Sequence, residues 1–395
     1  MKTDYDVIVV GGGPAGSMTA YHAAKKGARV LMIEKRQEIG SSLRCAEGIS
    51  KKGLDKAKIP LDKKWISAEM KGAKLVSPNG SVFRIDESQA GDEVGLVLER
   101  HLFDKYLAGR AAKAGAEIRL KTAANGVIKE GDAVKGITGT SFGEPFKLTA
   151  GCVVGADGFE SQVGRWGGLD TVVKMSDITS CFQYRLTGLK TEPDYCEFVL
   201  GSVAPGGYAW VFPKGGDTAN VGMGVLASML KKPGDVKKYI DMWIKKDPRL
   251  SGAQPLEAVG AAVSVSPPVE KSIANGLLLV GDAARVIDPI TGGGIANGCI
   301  QGKFAGEVLG DCAQAKDFSE AALKPYEKLW RDELENKLYR NWMAKEKMIT
   351  LTDAQLDGVI EILAGCDIRE MNVYNILAAL KQRMPDLVKE FEEFI

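Results

Sequence analysis

A glycine-rich turn close to the start of the chain constrains the fold more than any other feature. Residues 5–34 read YDVIVVGGGPAGSMTAYHAAKKGARVLMIE. The apolar run Val7–Val10 precedes the turn, which is typical of a parallel strand buried on both faces. Gly11, Gly13 and Gly16 have the spacing that permits a tight turn, close approach of a pyrophosphate and close helix–strand packing. The helix predicted after the turn would offer its N-terminus to an anion.

An acidic residue ends the second strand of this unit. The run RVLMI at residues 29–33 predicts that strand, and Glu34 follows it, 18 residues after Gly16. A carboxylate here can accept hydrogen bonds from both hydroxyls of an adenosine ribose, and it would repel a 2′-phosphate. Strand, turn, helix, strand and acid stand in order within about 30 residues, as the dinucleotide-binding fingerprint requires. The alternative is a glycine-rich turn that binds no ligand.

Composition sets limits on the class of protein. The chain has 395 residues and a net charge of +1, so nothing indicates a nucleic-acid partner. Seven cysteines are scattered without a CxxC pair, which favours reduced thiols in a cytoplasmic setting and predicts no metal site. The N-terminus enters a strand directly, and no apolar run approaches the roughly 18 residues that span a bilayer. We therefore expect a cytoplasmic protein, with peripheral association as the remaining form of membrane contact.

A second glycine-rich block occupies residues 276–298, GLLLVGDAARVIDPITGGGIANG. The run Leu277–Val280 predicts a buried strand, and Asp282 follows it. This carboxylate is therefore expected at the carboxyl edge of the sheet, where open α/β sheets bind their ligands. Glycines 292–294 lead into a helix predicted from Ile295, whose N-terminus would form a second anion site. An unliganded turn is again the alternative.

The loop at residues 37–54 is a third candidate part of the site. It carries Arg44, Cys45, Ala46 and Gly48, and its small residues would let the backbone lie against a flat cofactor ring. A loop position beside a basic residue favours Cys45 as a site residue. Its alternative role is that of a small buried apolar residue.

Three further features complete the part of the chain that alternates strands and helices. The strand CVVGADG at residues 152–158 ends in a glycine turn with Asp157. Residues 96–115 are predicted as a helix that ends at glycine and carries Arg100 in its first turns, where a solvated charge is the simplest interpretation. Small residues, Ala124 among them, separate the two strands expected after this helix.

Antiparallel sheet is predicted for residues 64–86, where an Asn-Gly pair marks a hairpin, and for residues 168–265. Tyr208, Trp210 and Phe212 alternate along one of these strands, so their side chains share one face. That face would form an apolar wall beside a ligand. An ordinary sheet core is the alternative.

Two other patterns have competing interpretations. The glycine spacing at residues 222–227 matches a dinucleotide turn, but no buried apolar strand precedes it, so we favour a glycine-containing strand near a ligand. After residue 317 the pattern becomes helical, with an apolar stripe every four residues from Tyr326 to Trp342. We interpret the stripe as core, with a basic and aromatic rim around an apolar slot as the alternative.

Together these segments predict an α/β fold with an added antiparallel β-sheet and a helical C-terminal region. The nucleotide-binding domain is discontinuous, at residues 1–60, 96–165 and 270–312. The antiparallel, substrate-binding domain takes residues 61–95 and 166–269, and the helical region takes residues 313–395.

The glycine blocks in this order resemble the single-Rossmann FAD enzymes of the aromatic-hydroxylase fold. The likeness covers residues 1 to about 310 and implies FAD as the cofactor. It implies that Glu34 holds the adenosine ribose and that Ala15 and Gly16 face the pyrophosphate. It also implies that Asp282 binds the ribityl chain or the pyrophosphate.

At the flavin end, the likeness implies that Arg100 and Ala124 flank the cofactor and that Gly294 and Ile295 lie beside the isoalloxazine. The full set of predicted cofactor-binding residues is Gly11, Gly13, Ala15, Gly16, Glu34, Arg44, Cys45, Ala46, Gly48, Arg100, Ala124, Asp157, Asp282, Gly293, Gly294 and Ile295.

A narrower likeness lies at residues 205–214. They read PGGYAWVFPK, which resembles the PxxYxWxFP signature of the geranylgeranyl reductase family, and the nearest likeness is to its archaeal digeranylgeranylglycerophospholipid reductases. It implies hydride transfer from N5 of reduced FAD to the double bonds of two geranylgeranyl chains on a glycerol phosphate or phospholipid. The implied substrate-binding residues are Tyr208, Trp210, Phe212 and Pro213. After Cys45 the chain reads Ala-Glu-Gly, where plant-type relatives tend to have two glycines, so the role of Cys45 stays open.

The implied chemistry can be checked against the available side chains. An isolated trisubstituted alkene has no carbonyl to polarise, so it needs a strong hydride donor, and reduced flavin is one. A proton must also arrive. The two histidines, His22 and His101, lie on predicted helices and neither is placed as an acid. We therefore predict Cys45 and Tyr208 as catalytic residues, with a water as the third candidate proton source.

The identity of the electron donor stays open among NAD(P)H, ferredoxin and a deazaflavin. Two other functions also compete. One is an FAD monooxygenase or halogenase of the same fold acting on a small aromatic substrate, although the WxWxIP-type stretch that halogenases tend to carry does not occur. The other is a non-enzymatic nucleotide-binding or lipid-carrier module at the membrane surface.

Overall fold

The computed structural model describes residues 3–41, 44–86, 89, 95–232, 234–366 and 373–391. Its strands are β1 (Tyr5–Val10), β2 (Val30–Ile33), β3 (Gly48–Ile49), β4 (Ile66–Glu69), β5 (Gly72–Val76), β6 (Val82–Asp86), β7 (Leu96–Leu98), β8 (Glu117–Arg119), β9 (Thr122–Glu130), β10 (Ala133–Ser141), β11 (Glu144–Gly155), β12 (Ile178–Thr187), β13 (Tyr195–Val199), β14 (Tyr208–Gly215), β15 (Thr218–Leu226), β16 (Gln254–Ser264), β17 (Ile273–Ala274) and β18 (Leu277–Leu279). The α-helices are α1 (Pro14–Lys25), α2 (Lys51–Lys56), α3 (Arg100–Lys113), α4 (Gln162–Gly167), α5 (Asp235–Lys246), α6 (Ile295–Ala315), α7 (Glu320–Trp330), α8 (Asn336–Met348), α9 (Asp353–Ala364), α10 (Val373–Leu380) and α11 (Pro385–Phe391).

The first sheet is the predicted parallel unit. Strand β1 lies between β2 and β11, parallel to both, and β18 extends the parallel run beyond β11. The centre of the ladder is fully buried, as the continuous apolar runs of these strands require. Strand β8 continues the run beyond β2, so five parallel strands end at one edge, which carries the turns after β1, β11 and β18.

Helix α1 packs closely against α6 because α6 presents glycines to it. A Cβ on Gly302 would lie 3.1 Å from Met18 Cβ, and one on Gly306 would lie 2.6 Å from His22 Cβ. Since the two helix backbones approach this closely, the nucleotide turn at the start of α1 is tied to the long helix that follows the second glycine block.

The second sheet has seven strands in the order β16-β12-β15-β14-β13-β5-β6. The hairpin predicted within residues 64–86 is confirmed as β5–β6, while β5 also pairs in parallel with β13. The glycine pattern at residues 222–227 begins within strand β15, so the second dinucleotide turn is excluded there. A Cβ on Gly222 would overlap the indole ring of Trp210, so this glycine makes room for an aromatic side chain.

The prediction of one helix over residues 96–115 was wrong at its beginning. Residues Leu96–Leu98 form β7, which pairs with β3 and β4 in a separate three-stranded sheet, and α3 begins only at Arg100. All three residues of β7 are buried. Three consecutive buried apolar residues suit a strand covered on both faces better than the first turn of an amphipathic helix.

The C-terminal region is helical where it is described, and its apolar stripe is core. Tyr326, Trp330 and Leu338 are buried in the same cluster as the first sheet, so the interpretation as core is confirmed. Between α7 and α8 the residues 331–335 form a π-helical turn. Within the described residues, no helix has the length and apolar character needed to cross a membrane. The discontinuous domain boundaries given above stay a prediction.

Candidate active site

The turn after β1 has the geometry of a pyrophosphate cradle. Gly11 has a φ of 118°, and a Cβ on Gly16 would overlap the carbonyl oxygen of Gly11, so neither position suits a larger residue. Gly13 caps helix α1 without a side-chain hydrogen bond. No heavy atom lies within 4 Å of the place a Gly13 Cβ would take, so the space in front of these amide groups is open. This arrangement fits a dinucleotide phosphate.

Glu34 faces the same turn. Its Oε2 accepts a hydrogen bond from the backbone N–H of Gly12 at 3.0 Å, and its Oε1 accepts one from Arg36 at 2.9 Å. The two bonds fix the carboxylate at the end of β2, beside the cradle. This is the place that the sequence predicts for the acid that holds an adenosine ribose.

The second glycine block meets the first at the same sheet edge. A Cβ on Gly281 would lie 2.8 Å from the Cβ of Ala15, so the turn before Asp282 touches the start of α1. Burial raises the pKa of Asp282, and the nearby positive charge of Arg100 partly opposes this rise. The opening turn and Asp282 therefore share one cleft, as an extended dinucleotide requires.

Asp157 lies at the same sheet edge, in the turn after β11. Its Oδ2 accepts the N–H of Val163 at 2.9 Å, and burial raises its pKa. Its Oδ1 is buried without a hydrogen-bond partner among the described residues. A buried oxygen of this kind calls for a partner from outside the chain, and a hydroxyl of a bound cofactor would supply one.

The glycine loop before α6 lies between Asp282 and the aromatic strand. The Asp282 Oδ1 is 3.3 Å from the place a Gly294 Cβ would take, and the Tyr208 hydroxyl is 3.7 Å from the corresponding place at Gly292. Gly294 also caps α6 without a side-chain bond, so the N-terminal amides at Ile295 are not covered by a capping side chain. Asp282, Gly293, Gly294 and Ile295 thus lie along one side of the cleft, and their contact with a cofactor stays a prediction.

Arg100 is not a solvated charge, and the simplest interpretation of it is wrong. Its guanidinium is buried and donates from Nε and Nη2 to Asp104, each at 2.8 Å. It also lies beside the Cys45 thiol. Burial raises the pKa of Cys45, and the Arg100 charge and a backbone hydrogen bond from Glu47 lower it in part. The thiol is therefore protonated at neutral pH and has a cation beside it.

The loop that carries Cys45 lies against the second sheet. Gln183 donates to the Cys45 carbonyl at 3.1 Å, and Asn220 donates to the Ala46 carbonyl at 3.1 Å. A Cβ on Gly48 would lie 3.1 Å from the Phe212 ring, so the loop and the aromatic strand touch there. Small residues in this loop therefore permit close approach to the sheet, and their approach to a cofactor stays a prediction.

Two predicted cofactor residues lie apart from this group. Arg44 is exposed on the loop. Ala124 is half-buried in β9 and packs against the core of the first sheet. Their contact with a cofactor stays a prediction.

Tyr208, Trp210 and Phe212 share one face of β14, as the alternation predicts. The ring centroids of Tyr208 and Trp210 are 5.8 Å apart, and those of Trp210 and Phe212 are 6.5 Å apart. Trp210 donates from its indole nitrogen to Gln183 at 2.9 Å, and the Tyr208 hydroxyl donates to the carbonyl of Thr291. The indole nitrogen of Trp210 and the hydroxyl of Tyr208 are thus hydrogen-bonded, and the apolar faces of the rings form the wall.

The C-terminal helices cover this wall. Ile360 and Leu363 of α9 and Ile376 of α10 belong to the same apolar cluster as Trp210 and Phe212. The wall and these helices therefore pack in one apolar cluster between the second sheet and the C-terminal region. Pro213 alternates with Phe212 and so lies toward the other face of the strand, and its contact with substrate stays a prediction.

Both histidines lie on helices, as the sequence predicts. Burial and the charge of Lys303 lower the pKa of His22 to about 4. His101 is half-exposed and stands 3.4 Å from Glu99 on the surface of α3. Cys45, Tyr208 and a water stay the predicted candidates for the proton source.

Sequence reasoning missed a group of buried polar residues around the Cys45 loop. They are Glu47, Gln183, Arg185, Lys214 and Asn220. The available signals were a charged Glu47 between small residues and a lysine directly after the PGGYAWVFP run. Neither signal identifies its partner, because the partners come from distant strands.

Two family models match the chain. A model described as an FAD binding domain matches residues 4–207, and one described as a geranylgeranyl reductase catalytic domain matches residues 177–263. FAD is therefore the cofactor, as predicted. The first match contains the opening turn, and the second contains most of the sheet with the aromatic wall.

Curated proteins are similar over the whole chain. A digeranylgeranylglycerophospholipid reductase from Thermoplasma volcanium is 47% identical, with 99% of each chain covered. One from Picrophilus torridus is 45% identical, with 100% of each chain covered.

Solved structures are also similar to this chain over nearly its whole length. A geranylgeranyl bacteriochlorophyll reductase-like protein from Thermoplasma acidophilum is 45% identical, with a TM-score of 0.94 and 99% of each chain covered. A flavin-dependent brominase has a TM-score of 0.70 at 21% identity, covering 98% of this chain and 99% of its own. The second likeness shows the fold alone, and it confirms the predicted fold class.

Proposed function

Since the chain belongs to the digeranylgeranylglycerophospholipid reductase family, we propose that it is an FAD-dependent oxidoreductase that saturates the geranylgeranyl chains of a glycerol-linked archaeal lipid. The observation that carries the proposal is the apolar wall of Tyr208, Trp210 and Phe212, which packs in one cluster with the C-terminal helices. A polyprenyl chain is apolar along its length, and this wall begins directly beside the glycine loop of the FAD cleft.

The residues of the cleft fit FAD. The open cradle at Gly13, the fixed carboxylate of Glu34 and the unpartnered oxygen of Asp157 match a phosphate, a ribose and a hydroxyl in turn. When bound and reduced, the flavin supplies the hydride that an unpolarised alkene requires.

The protein's own contribution is position, dryness and a proton. The wall of Tyr208, Trp210 and Phe212 orients the chain and excludes water. The Cys45 thiol is protonated at neutral pH and is the acid of the pair, because the hydroxyl hydrogen of Tyr208 is already donated to Thr291. Arg100 beside it would stabilise the thiolate left after the proton moves.

The test is direct reduction of the lipid. Protein reduced by dithionite is incubated with digeranylgeranylglyceryl phosphate, and the extracted lipid is analysed by mass. Each reduced bond adds two hydrogen atoms, so a ladder of heavier products is expected. An unchanged lipid mass, with FAD demonstrably bound, would reject the proposal.

The monooxygenase or halogenase alternative gains nothing from the structure. The brominase shares the fold at 21% identity, which carries no statement about reaction. A nucleotide-binding module without activity is also not favoured, since the catalytic-domain model of the reductase family matches residues 177–263.

The electron donor stays a prediction among NAD(P)H, ferredoxin and a deazaflavin. Each donor can be mixed anaerobically with the oxidised protein, and the loss of the flavin's visible absorbance gives the rate. The physiological class of donor should reduce the flavin faster than catalysis proceeds, because a slower donor could not sustain turnover.

We propose that membrane contact is peripheral and uses the segment 51–64. This segment carries six lysines and two aspartates, and Leu61 within it is 55% exposed. A Cβ on Gly53 would lie 2.6 Å from Ala296, so the basic segment lies beside the start of α6 and the flavin cleft. Lysines with an apolar centre suit an anionic lipid surface.

Co-sedimentation with vesicles tests this contact. Binding is expected to anionic vesicles and not to zwitterionic ones, and it should weaken in the double variant Lys63→Gln/Lys64→Gln. The matched control is Lys237→Gln/Lys238→Gln on α5, which removes the same charge elsewhere. Equal losses in the two double variants would contradict a localised contact.

A further inference from the structure

The Cys45 loop contains a residue in an unusual backbone conformation. Glu47 has a φ of 75°, in the left-handed region that glycine adopts readily and other residues rarely. Its side chain is also buried, at 3% exposure. A buried carboxylate in a left-handed conformation persists only where its surroundings hold it.

Four donors surround the Glu47 carboxylate. Its Oε2 accepts hydrogen bonds from Lys214 at 2.7 Å, Asn220 at 2.7 Å and Arg185 at 3.0 Å. Its Oε1 accepts the backbone N–H of Arg100, the first residue of α3, at 2.8 Å. An anion is favoured at a helix N-terminus. One carboxylate thus joins three strands of the second sheet to the helix that carries Arg100.

Lys214 is the strongest of these anchors. Its side chain is 2% exposed, and it also donates to the Leu98 carbonyl and pairs with Glu99 at 2.8 Å. Burial raises the pKa of Glu99, but the hydrogen bond and charge of Lys214, together with Arg185 and Ser67, outweigh this, so the net pKa is lowered. Because Lys214 follows Phe212 by two residues, the strand that presents the aromatic wall also anchors Glu47.

The backbone of Glu47 acts on Cys45 directly. The Glu47 N–H donates to the Cys45 sulfur at 3.2 Å. The Cα of Glu47 ends the peptide group that carries this N–H, and the four side-chain hydrogen bonds hold that Cα in place. The neighbouring carbonyls of Cys45 and Ala46 are bound by Gln183 and Asn220 of the same sheet, so residues 45–47 are each held by a hydrogen bond.

We propose that Glu47 is a positioning residue that fixes the Cys45 sulfur relative to the aromatic strand. Lys214, Arg185, Asn220 and the N-terminus of α3 hold its carboxylate, and its N–H aims at the thiol. A glycine at this position would reach the same conformation without strain but would leave it unanchored. The effect on lipid reduction rests on the proposed function, whereas the placement of the sulfur does not.

Two substitutions separate conformation from anchoring. Glu47→Gly keeps the left-handed conformation and removes all four side-chain bonds, while Glu47→Gln keeps size and shape and removes the charge. The first measurement is the rate at which iodoacetamide alkylates Cys45 in FAD-loaded protein without lipid, followed by the mass of the Cys45 peptide. The second is kcat and KM for lipid reduction. Glu257→Gln is the control, because Glu257 reaches Arg185 only at 3.8 Å and is half-exposed.

Glu47→Gly should alkylate faster at Cys45 by about ten-fold or more and lose about ten- to a hundred-fold in kcat with little change in KM, because the reacting group is misplaced. The alkylation rate and kcat of Glu47→Gln should lie between those of Glu47→Gly and the wild type. Both quantities should be unchanged in Glu257→Gln. Wild-type alkylation and kcat in both Glu47 variants would overturn the proposal.

If Glu47→Gly does not retain FAD, the positioning role is tested with Lys214→Met and Glu47→Gln instead. The alkylation rate of Cys45 and the kinetics of lipid reduction are measured for both. Faster alkylation in both supports the positioning role, and wild-type rates in both oppose it. Should no protein reduce the lipid, the proposed function fails, while the alkylation rates still test the placement of Cys45.

Discussion

The aromatic wall can be tested by adding a single methyl group beneath it. Gly222 lies in β15 under the indole of Trp210, and a Cβ there would be 2.8 Å from the indole nitrogen and would overlap the ring carbons. The indole is buried and donates to Gln183 at 2.9 Å, and Gln183 in turn donates to the Cys45 carbonyl at 3.1 Å. Gly222→Ala must therefore displace a rigid ring and disturb both hydrogen bonds.

The magnitude follows from the two effects. Overpacking costs about 1–3 kcal/mol, and the weakened hydrogen bond about 1 kcal/mol more. For a chain of this size we expect the melting temperature to fall by about 2–5 °C. Thermal unfolding of the FAD-loaded protein measures the fall, and the tryptophan near-ultraviolet circular dichroism should change with it.

The matched control is Gly260→Ala on the neighbouring region of the sheet. The nearest atom to a Cβ at Gly260 is Cδ2 of Phe182 at 3.9 Å, which is ordinary van der Waals contact. If Gly222→Ala melts within about 1 °C of this control and keeps its tryptophan signal, the indole does not lie on Gly222. The arrangement of the wall would then be wrong.

Four further outcomes are expected. Cys45→Ser should slow alkene reduction by about 100- to 10,000-fold in single turnover while FAD is retained, because the acid is lost; normal turnover would remove Cys45 from the mechanism. Since burial raises the Cys45 pKa, the reduction rate should be constant through neutral pH and fall only as the pH rises through that elevated pKa, and a rate that falls between weakly acidic and neutral pH would contradict a thiol acid. Glu34→Ala and Asp282→Ala should each weaken FAD binding by about ten- to a hundred-fold in Kd, measured by flavin release, and unchanged binding in both would overturn the cofactor assignment. Tyr208→Phe removes the bond to Thr291 and should slow reduction without loss of flavin, whereas wild-type turnover would show that the hydroxyl has no part in the reaction.

The sequence predicts the cofactor cleft well because its signals are local. The turn at Gly11–Gly16, the acid Glu34 and the turn at Asp282 each follow a buried strand. Parallel strands end at one edge, so three local patterns suffice to bring their ends together. The alternation of Tyr208, Trp210 and Phe212 is equally local, and the shared face follows from the strand period.

The features that the sequence did not predict depend on contacts between residues far apart along the chain. The strand Leu96–Leu98 was taken for helix because its pairing partners, β3 and β4, are not visible from its own short apolar run. The helix position of Arg100 favours a solvated charge and only the family likeness placed it beside the cofactor, because the neighbourhood of Cys45 and Asp282 comes from the fold. Glu47 has donors on three separate strands, and no spacing along the chain relates them.

The four-residue spacing of the C-terminal apolar stripe does not fit a regular α-helix. On an α-helix with 3.6 residues per turn, each step of four residues rotates about 40° beyond a full turn. Side chains spaced strictly by four would therefore turn progressively away from the buried face of the helix. The π-helical turn at residues 331–335 takes up the excess, and Leu338 stays buried on the same side as Tyr326. Tyr326 donates its hydroxyl to Leu279, the last residue of β18, and Trp330 donates to Ser272 at 3.0 Å. The stripe therefore holds the strand that leads directly into the cofactor turn, which gives the C-terminal region a role at the FAD cleft as well as over the aromatic wall.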